Sequence, residues 1–375
     1  MFKKLFMLAL LFVKVCLAEQ NPPTNTIKLG MSNALTGPTS QLGQDLSKGA
    51  FIYFKQLNNF DGINGQKVEL ISLDDAYEPE NTVRNTKILI EQEQVLALFN
   101  YVGTPTSHAI LPTLKQTNIP YLMPFTGADF LRTPVINNIF NLRASYSQEA
   151  QAQVDFLVTK KGFSQIALVI QADEFGLAAQ RSYVQMMKKF NLKPVIDERF
   201  KRNSNDIEKV LAHLKTKPLD AIIFVGTYQP FSHLINLSYE QGLRPFFSTL
   251  SFVSSQDVFS RLKHPSKVVV SEVMPEPSQC QWQICRQFIR DMSKAGYQQL
   301  NRLQFEGYLN AHIFSLVAKQ CGDKLTRTCL MKKFESFELK KEGLNISFSP
   351  NNHQGLNQVY LSFSDAAIEE LLVYK

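Results

Sequence analysis

The chain has 375 residues, enough for two filled cores and too many for one ordinary domain. Hydrophobic residues make up 44% and charged residues 19%, which excludes a disordered chain. The net charge is +7, but the densest basic groups are pairs such as Lys160-Lys161, Lys188-Lys189 and Lys340-Lys341. Scattered pairs of this kind read as a solvated surface, and a nucleic-acid partner is not implied.

The first elements in chain order belong to export. Lys3 and Lys4 precede nine apolar residues, 5–13, and Lys14 closes the run. Small Ala18 offers a cleavage site, so residues 1–18 read as a secretory signal peptide and the mature chain as periplasmic. Nine residues cannot span a bilayer. The rival is a lipid anchor on Cys16, for which Val13, Lys14 and Val15 are poor preceding residues. Cleavage after Ala18 removes three lysines and no acid, leaving +4.

Strand and helix patterns then alternate. A strand is expected over 27–35, a helix over 45–58 with Leu46, Ala50, Phe51, Phe54 and Leu57 on one face, and a buried strand over 68–73. Pro79 opens a helix to 92, and strands follow over 95–102, 119–123 and 139–142. The pattern restarts with a helix over 147–159, a strand over 166–171, a helix over 175–190, a strand over 195–200 and a helix over 206–214. Residues 221–226 are apolar throughout, as in a sheet buried on both faces. A helix over 230–241 and a strand over 268–270 come next. Helical segments over 282–294, 307–319 and 328–337, a strand over 358–363 and a helical tail complete the chain. Two successive βαβα runs predict an α/β fold of two doubly wound lobes with mostly parallel sheets. In such sheets ligands bind beyond the carboxyl ends of the strands.

Cys280, Cys285, Cys321 and Cys329 remain after the signal peptide. An even count in an exported chain favours two disulfides, with three possible connectivities, of which local pairing is the simplest. The spacings match no zinc pattern. No Walker loop, G-x-G-x-x-G, H-E-x-x-H or G-x-S-x-G is present, and there is no positive case for an enzyme or a cofactor. Asp74 and Asp75 are neighbours at a strand end whose side chains start toward opposite faces, so a turn or capping role fits better than a metal pair.

Thr104-Pro105, after a strand, looks like a helix N-cap followed by an N1 proline. It is either an ordinary cap or an anion site suited to a carboxylate. Gly127 in Phe125-Thr126-Gly127 either lets backbone approach a ligand or forms a plain turn.

Six strand-end segments occur in order: residues 35–43 (Leu-Thr-Gly-Pro-Thr-Ser-Gln-Leu-Gly), 74–79 (Asp-Asp-Ala-Tyr-Glu-Pro), 103–107 (Gly-Thr-Pro-Thr-Ser), 124–128 (Pro-Phe-Thr-Gly-Ala), 141–146 (Asn-Leu-Arg-Ala-Ser-Tyr) and 173–176 (Asp-Glu-Phe-Gly). Together they resemble the type I periplasmic binding proteins, in the leucine/isoleucine/valine-binding group that serves ABC transporters. The resemblance implies a small-molecule ligand closed between two lobes, a membrane permease as partner and a monomeric chain. It implies three interlobe crossings, near residues 143–146, 271–275 and 348–352. Lobe I is then 19–144 plus 276–348, and lobe II is 145–275 plus 349–375. It places a ligand carboxylate near Thr104, Thr126 and Gly127, with Phe125 beside them, aromatic closure at Phe175 and Tyr228, and Tyr146 at the lobe crossing. Leu42 stands where leucine-binding members carry an aromatic, and Ser251 where they carry the acid that holds an ammonium. Either Asp173 substitutes for that acid, or the ligand lacks an amino group, because a buried ammonium without a carboxylate is costly. The alternative function on the same fold is a ligand-sensing partner of a signalling protein.

Overall fold

A computed structural model describes residues 26–202, 204, 206–341 and 343–373, without the side chains of 370–373. The expected signal peptide lies outside the described residues.

The first half lays down β1 (Ile27–Asn33), α1 (Ser40–Asn58), β2 (Val68–Asp74), α2 (Pro79–Glu91), β3 (Ala97–Phe99), α3 (Thr104–Ala109), α4 (Leu111–Thr117), β4 (Tyr121–Leu122) and β5 (Ile139–Phe140). These strands form a parallel sheet in the order β2-β1-β3-β4-β5. After a first passage the chain continues as α5 (Tyr146–Val154), β6 (Ile166–Gln171), α6 (Glu174–Lys189), β7 (Ile196–Phe200), α7 (Glu208–Leu214), β8 (Ala221–Val225), α8 (Tyr228–Glu240), β9 (Phe246–Thr249), α9 (Ser255–Phe259) and β10 (Val268–Glu272). It then returns to the first sheet with α10 (Gln283–Lys294), α11 (Arg302–Lys319), α12 (Arg327–Glu335) and the hairpin β11 (Glu338–Lys341) and β12 (Leu344–Ser347). It ends on the second sheet with β13 (Tyr360–Phe363) and α13 (Asp365–Val373). That sheet runs β13-β10-β9-β8-β6-β7, with only β13 antiparallel. The two sheets and the helices on them are lobes I and II. The passages between them follow β5, β10 and β12.

The expected elements are present with shifted ends. β8 is wholly buried, as its unbroken apolar run requires. Helix α1 begins at Ser40, earlier than the apolar stripe alone suggests, and α11 begins at Arg302, where Asn301 accepts a capping bond from the Gln304 N–H at 2.9 Å. The helix expected over 147–159 is α5 followed by a π-helical stretch, Asp155–Lys160. The strand expected over 95–102 is β3 alone, with Val102 forming a single bridge to Phe125. Strand β9, helix α9 and the β11–β12 hairpin add to the expected set.

Lobe I is assembled from both ends of the chain. Its core joins Leu29, Phe54 and Phe99 to Phe288, Tyr308 and Phe314. Helices α1 and α11 touch backbone to backbone. A Cβ on Gly49 would stand 1.8 Å from the Gln304 carbonyl oxygen, and one on Gly307 would stand 1.9 Å from that of Leu46. Only glycine allows this approach. The cysteines pair locally, Cys280 with Cys285 and Cys321 with Cys329. Asp74 accepts from the backbone of Leu35, Thr36 and Ala76, and Asp75 from Ser32, Thr82 and the Tyr77 N–H, so both aspartates organise turns.

Candidate functional site between the lobes

The carboxyl ends of β3 and β4 face lobe II. Gly103 takes φ +111°, and a Cβ there would meet the Tyr77 ring at 2.3 Å. Gly103, not Thr104, is the cap of α3, which corrects the expected N-cap by one residue. Thr104 is the first helical residue, so its hydroxyl is available for tertiary contacts. It lies 2.7 Å from the Thr126 hydroxyl and 3.0 Å from that of Tyr146. The helix has six residues and carries no anion site of its own.

Tyr146 is held in place from lobe I. Its N–H donates to the Gly127 carbonyl at 2.7 Å, and its ring fills the space a Gly127 Cβ would need, 2.4 Å away. Glycine here serves close ring packing. A Ser145–Gln148 capping box fixes the start of α5, so the tyrosine enters the interlobe space at a set angle.

Aromatic rings close the space from both sides. Phe252 of lobe II lies 4.7 Å from Phe175, 5.7 Å from Phe125 and 5.7 Å from Tyr77, and Tyr146 lies 5.5 Å from Phe175. Leu42, Leu250 and Leu303 belong to the same buried cluster. Such ring pairs contribute about 0.5–1.5 kcal/mol each beyond burial. The Tyr77 hydroxyl is buried without a partner among the described residues. Burial first, then the nearby Asp173 and Tyr146, raise its pKa well above the ordinary tyrosine value, so it stays a neutral donor. Sequence reasoning did not assign Tyr77, although it lies in the strand-end segment 74–79, or Phe252, which directly follows Ser251.

The charges beside the rings are paired. Asp173 caps α6, accepting from the N–H groups of Phe175 at 3.0 Å and Gly176 at 3.2 Å. Its second oxygen accepts from Gln171 at 2.6 Å and pairs with Arg202 at 3.2 Å. Both oxygens are engaged within lobe II, and Asp173, expected as a possible partner for a ligand ammonium, serves here as the N-cap of α6. From lobe II, Arg202 crosses to lobe I, donating to Glu78 at 2.8 Å and to the Tyr77 carbonyl, with its guanidinium 4.9 Å from the Tyr77 ring centroid.

Ser251 belongs to a buried network behind the rings. Its hydroxyl accepts from Arg143 at 2.6 Å and its N–H donates to Glu149 at 2.7 Å. The Arg143 guanidinium lies 4.0 Å from the Phe125 ring centroid and 3.6 Å from Glu306. Burial pushes the carboxyls of Glu149 and Glu306 up, and Arg143 opposes the shift in both. Tyr228 lies elsewhere. It packs in a separate lobe II cluster with Arg261 stacked 4.6 Å from its ring, which corrects its expected place as a closing aromatic. The structure therefore gathers Leu42, Thr104, Phe125, Thr126, Gly127, Tyr146 and Phe175 at one place, sets Asp173 at its edge and Ser251 behind it, and removes Tyr228.

A family model described as periplasmic binding protein matches residues 26–365. The amino acid binding protein of Pseudomonas aeruginosa is 20% identical over 242 residues, covering 64% of this chain and 65% of its own length. The Leu/Ile/Val-binding protein of Escherichia coli K12 is 21% identical over 240 residues, covering 64% of each. The chain thus spans just under two thirds of these curated relatives. Among solved structures, a possible leucine/isoleucine/valine-binding protein from Rhodopirellula baltica superposes with a TM-score of 0.87 at 28% identity, over 94% of this chain and 100% of that one. A branched-chain amino acid ABC transporter protein from Thermus thermophilus with bound valine reaches 0.82 at 17% identity, over 92% and 94%, and shares the fold.

Proposed function

Since this chain belongs to the periplasmic binding protein family, we propose that it is an extracytoplasmic receptor that closes its two lobes on a small solute and presents it to an ABC permease. One observation carries the reading. Lobe I hydroxyls on Thr104 and Thr126 meet lobe II Tyr146, and rings from both lobes enclose the same spot. A ligand there contacts both lobes at once and so favours the closed arrangement over the open one. The hydroxyls of Thr104, Thr126, Tyr146 and Tyr77 suit the polar end of an amino acid or a related small carboxylate or amide. The rings and Leu42 suit an apolar body.

The passages after β5, β10 and β12 serve as the hinge in this reading, and two of them pair with each other. The Gly355 N–H donates to the Asn141 carbonyl at 2.9 Å, and that of Leu356 to the Leu142 carbonyl at 2.8 Å.

A thermal-shift screen across amino acids, amides and carboxylates, followed by calorimetry, tests the receptor reading. A ligand at a hundredfold excess over its Kd stabilises the folded state by about 2.7 kcal/mol. A screen in which no solute of these classes raises the midpoint counts against it.

A further inference from the structure

A cavity of about 760 Å³ opens between the lobes, lined from lobe I by Gln41 and Asp45 of α1 and Gln304 of α11 and from lobe II by Gln256 and Asp257 of α9. Leu42 and Leu303 enter the ring cluster, while the adjoining Gln41 and Gln304 line this cavity. Its lobe I wall carries Asp45, only 2% exposed. One Asp45 oxygen accepts from Gln41 at 2.8 Å and Asn301 at 2.9 Å, the other from Lys48 at 3.0 Å and Gln304 at 2.9 Å. Burial pushes the Asp45 pKa up, but these four bonds outweigh it and hold the group below the ordinary carboxylate value. Its lobe II wall carries Asp257, paired with Arg261 at 3.2 Å.

Three features define what fits. Each acid in the wall has its own cation, so a charged ligand would find no vacant counter-charge. The wall is rich in side-chain amides: Gln41, Asn301 and Gln304 donate to Asp45, and Gln256, Gln298 and Gln299 add further donors and acceptors. One of these, Gln304, is buried with its oxygen unpartnered among the described residues, an acceptor awaiting an O–H or N–H. The Tyr297 ring, 38% exposed, adds a flat apolar face of the kind that lies against the C–H face of a sugar ring. The volume is within the range of small-molecule sites.

We propose that this cavity is a second binding site, for an uncharged polyhydroxylated solute of sugar size. Because the walls come from both lobes, its occupant favours closure and so tightens binding at the rings, and the coupling is reciprocal.

The test uses the full mature chain and titrates D-glucose, D-galactose and trehalose by calorimetry, with glutamate and lysine as charged comparators. Ser260 is exposed at the cavity mouth, so Ser260→Trp fills the space without entering a core. Tyr297→Ala removes the flat face. The expected result is saturable binding of at least one sugar, weakened tenfold or more in each variant, with the sugar-free melting midpoint unchanged. Three outcomes overturn the proposal: no saturable heat with any of the three sugars, sugar binding that survives Ser260→Trp, or preferential binding of glutamate or lysine.

Discussion

Arg202 ties the lobes together from the side of the ring cluster, and its removal should open the molecule. Its bond to the Tyr77 carbonyl is charge-assisted, worth about 1.5–3 kcal/mol. The bond to Glu78 joins groups 18% and 45% exposed and is discounted to about 0.5 kcal/mol for solvent screening. The stack on Tyr77 adds about 0.5–1 kcal/mol. The pair with Asp173 stays within lobe II in both arrangements, so it cancels from the open–closed balance. Because water replaces part of these contacts on opening, we predict that Arg202→Ala shifts the balance by about 2 kcal/mol, roughly thirtyfold. Arg202→Lys, which keeps the charge and loses the planar fork, should give a smaller shift. Dyes on cysteines placed at Phe60 of lobe I and Leu177 of lobe II, both exposed, report the interlobe distance by single-molecule energy transfer. Identical ligand-free distance distributions in Arg202→Ala and the parent would refute the latch.

Three further predictions rest on other contacts. Thr104→Val should weaken the cleft ligand about tenfold or more in calorimetry, since a charged acceptor loses a donor worth roughly 1.5–3 kcal/mol; unchanged affinity with an intact fold removes Thr104 from the site. Glu272 is buried at the end of β10, with Arg302 at 3.7 Å, and burial pushes its pKa up to about 7 despite Arg302. A carboxyl raised on folding stabilises fully below its unfolded value near 4.5, and this contribution is lost as pH rises through about 7. The melting midpoint should therefore fall more steeply from pH 5 to 8.5 in the parent than in Glu272→Gln, and parallel curves would contradict the assignment. Gly307→Ala should destabilise by about 3 kcal/mol in denaturant unfolding, because its Cβ meets backbone that cannot rotate away; a midpoint within about 0.5 kcal/mol of the parent would show that the helices can part.

Much of this architecture is legible because period and burial coincide. The apolar run of β8 and the α2 helix opened by Pro79 declare themselves without neighbours. Strand β9 does not. It reads Phe-Phe-Ser-Thr, and the buried Ser248 and Thr249 look like a loop until parallel strands on both sides satisfy the backbone. The β11–β12 hairpin has strands of four residues each; β11 is mostly charged, and the alternation of Leu344, Asn345, Ile346 and Ser347 in β12 is too short to stand out alone. At the site, strand-end logic reached Thr104, Thr126 and Tyr146 because topology alone puts such positions together. It could not reach Arg202, whose partners lie on the other lobe, or displace Tyr228, whose stacking on Arg261 depends on where α9 ends. The close approach of α1 and α11 at Gly49 and Gly307 is invisible locally, since each glycine looks only like a weak point in a helix.

That close approach also sets an order of assembly. It joins α1 to a helix that follows the whole of lobe II in the chain, so lobe I is incomplete until α11 has been made. Residues 146–272, in contrast, carry every strand of the second sheet except its edge strand β13. A chain emerging N-terminus first therefore condenses its middle before its beginning, leaving Tyr53 and Phe54 without the partners Tyr308 and Phe314. We predict that a chain ending at residue 275 resists protease over 146–272 but is cut within 26–140. Protection of 26–140 in that fragment would mean the first half folds unaided. Otherwise the growing chain passes through a stage in which the apolar face of α1 is unshielded.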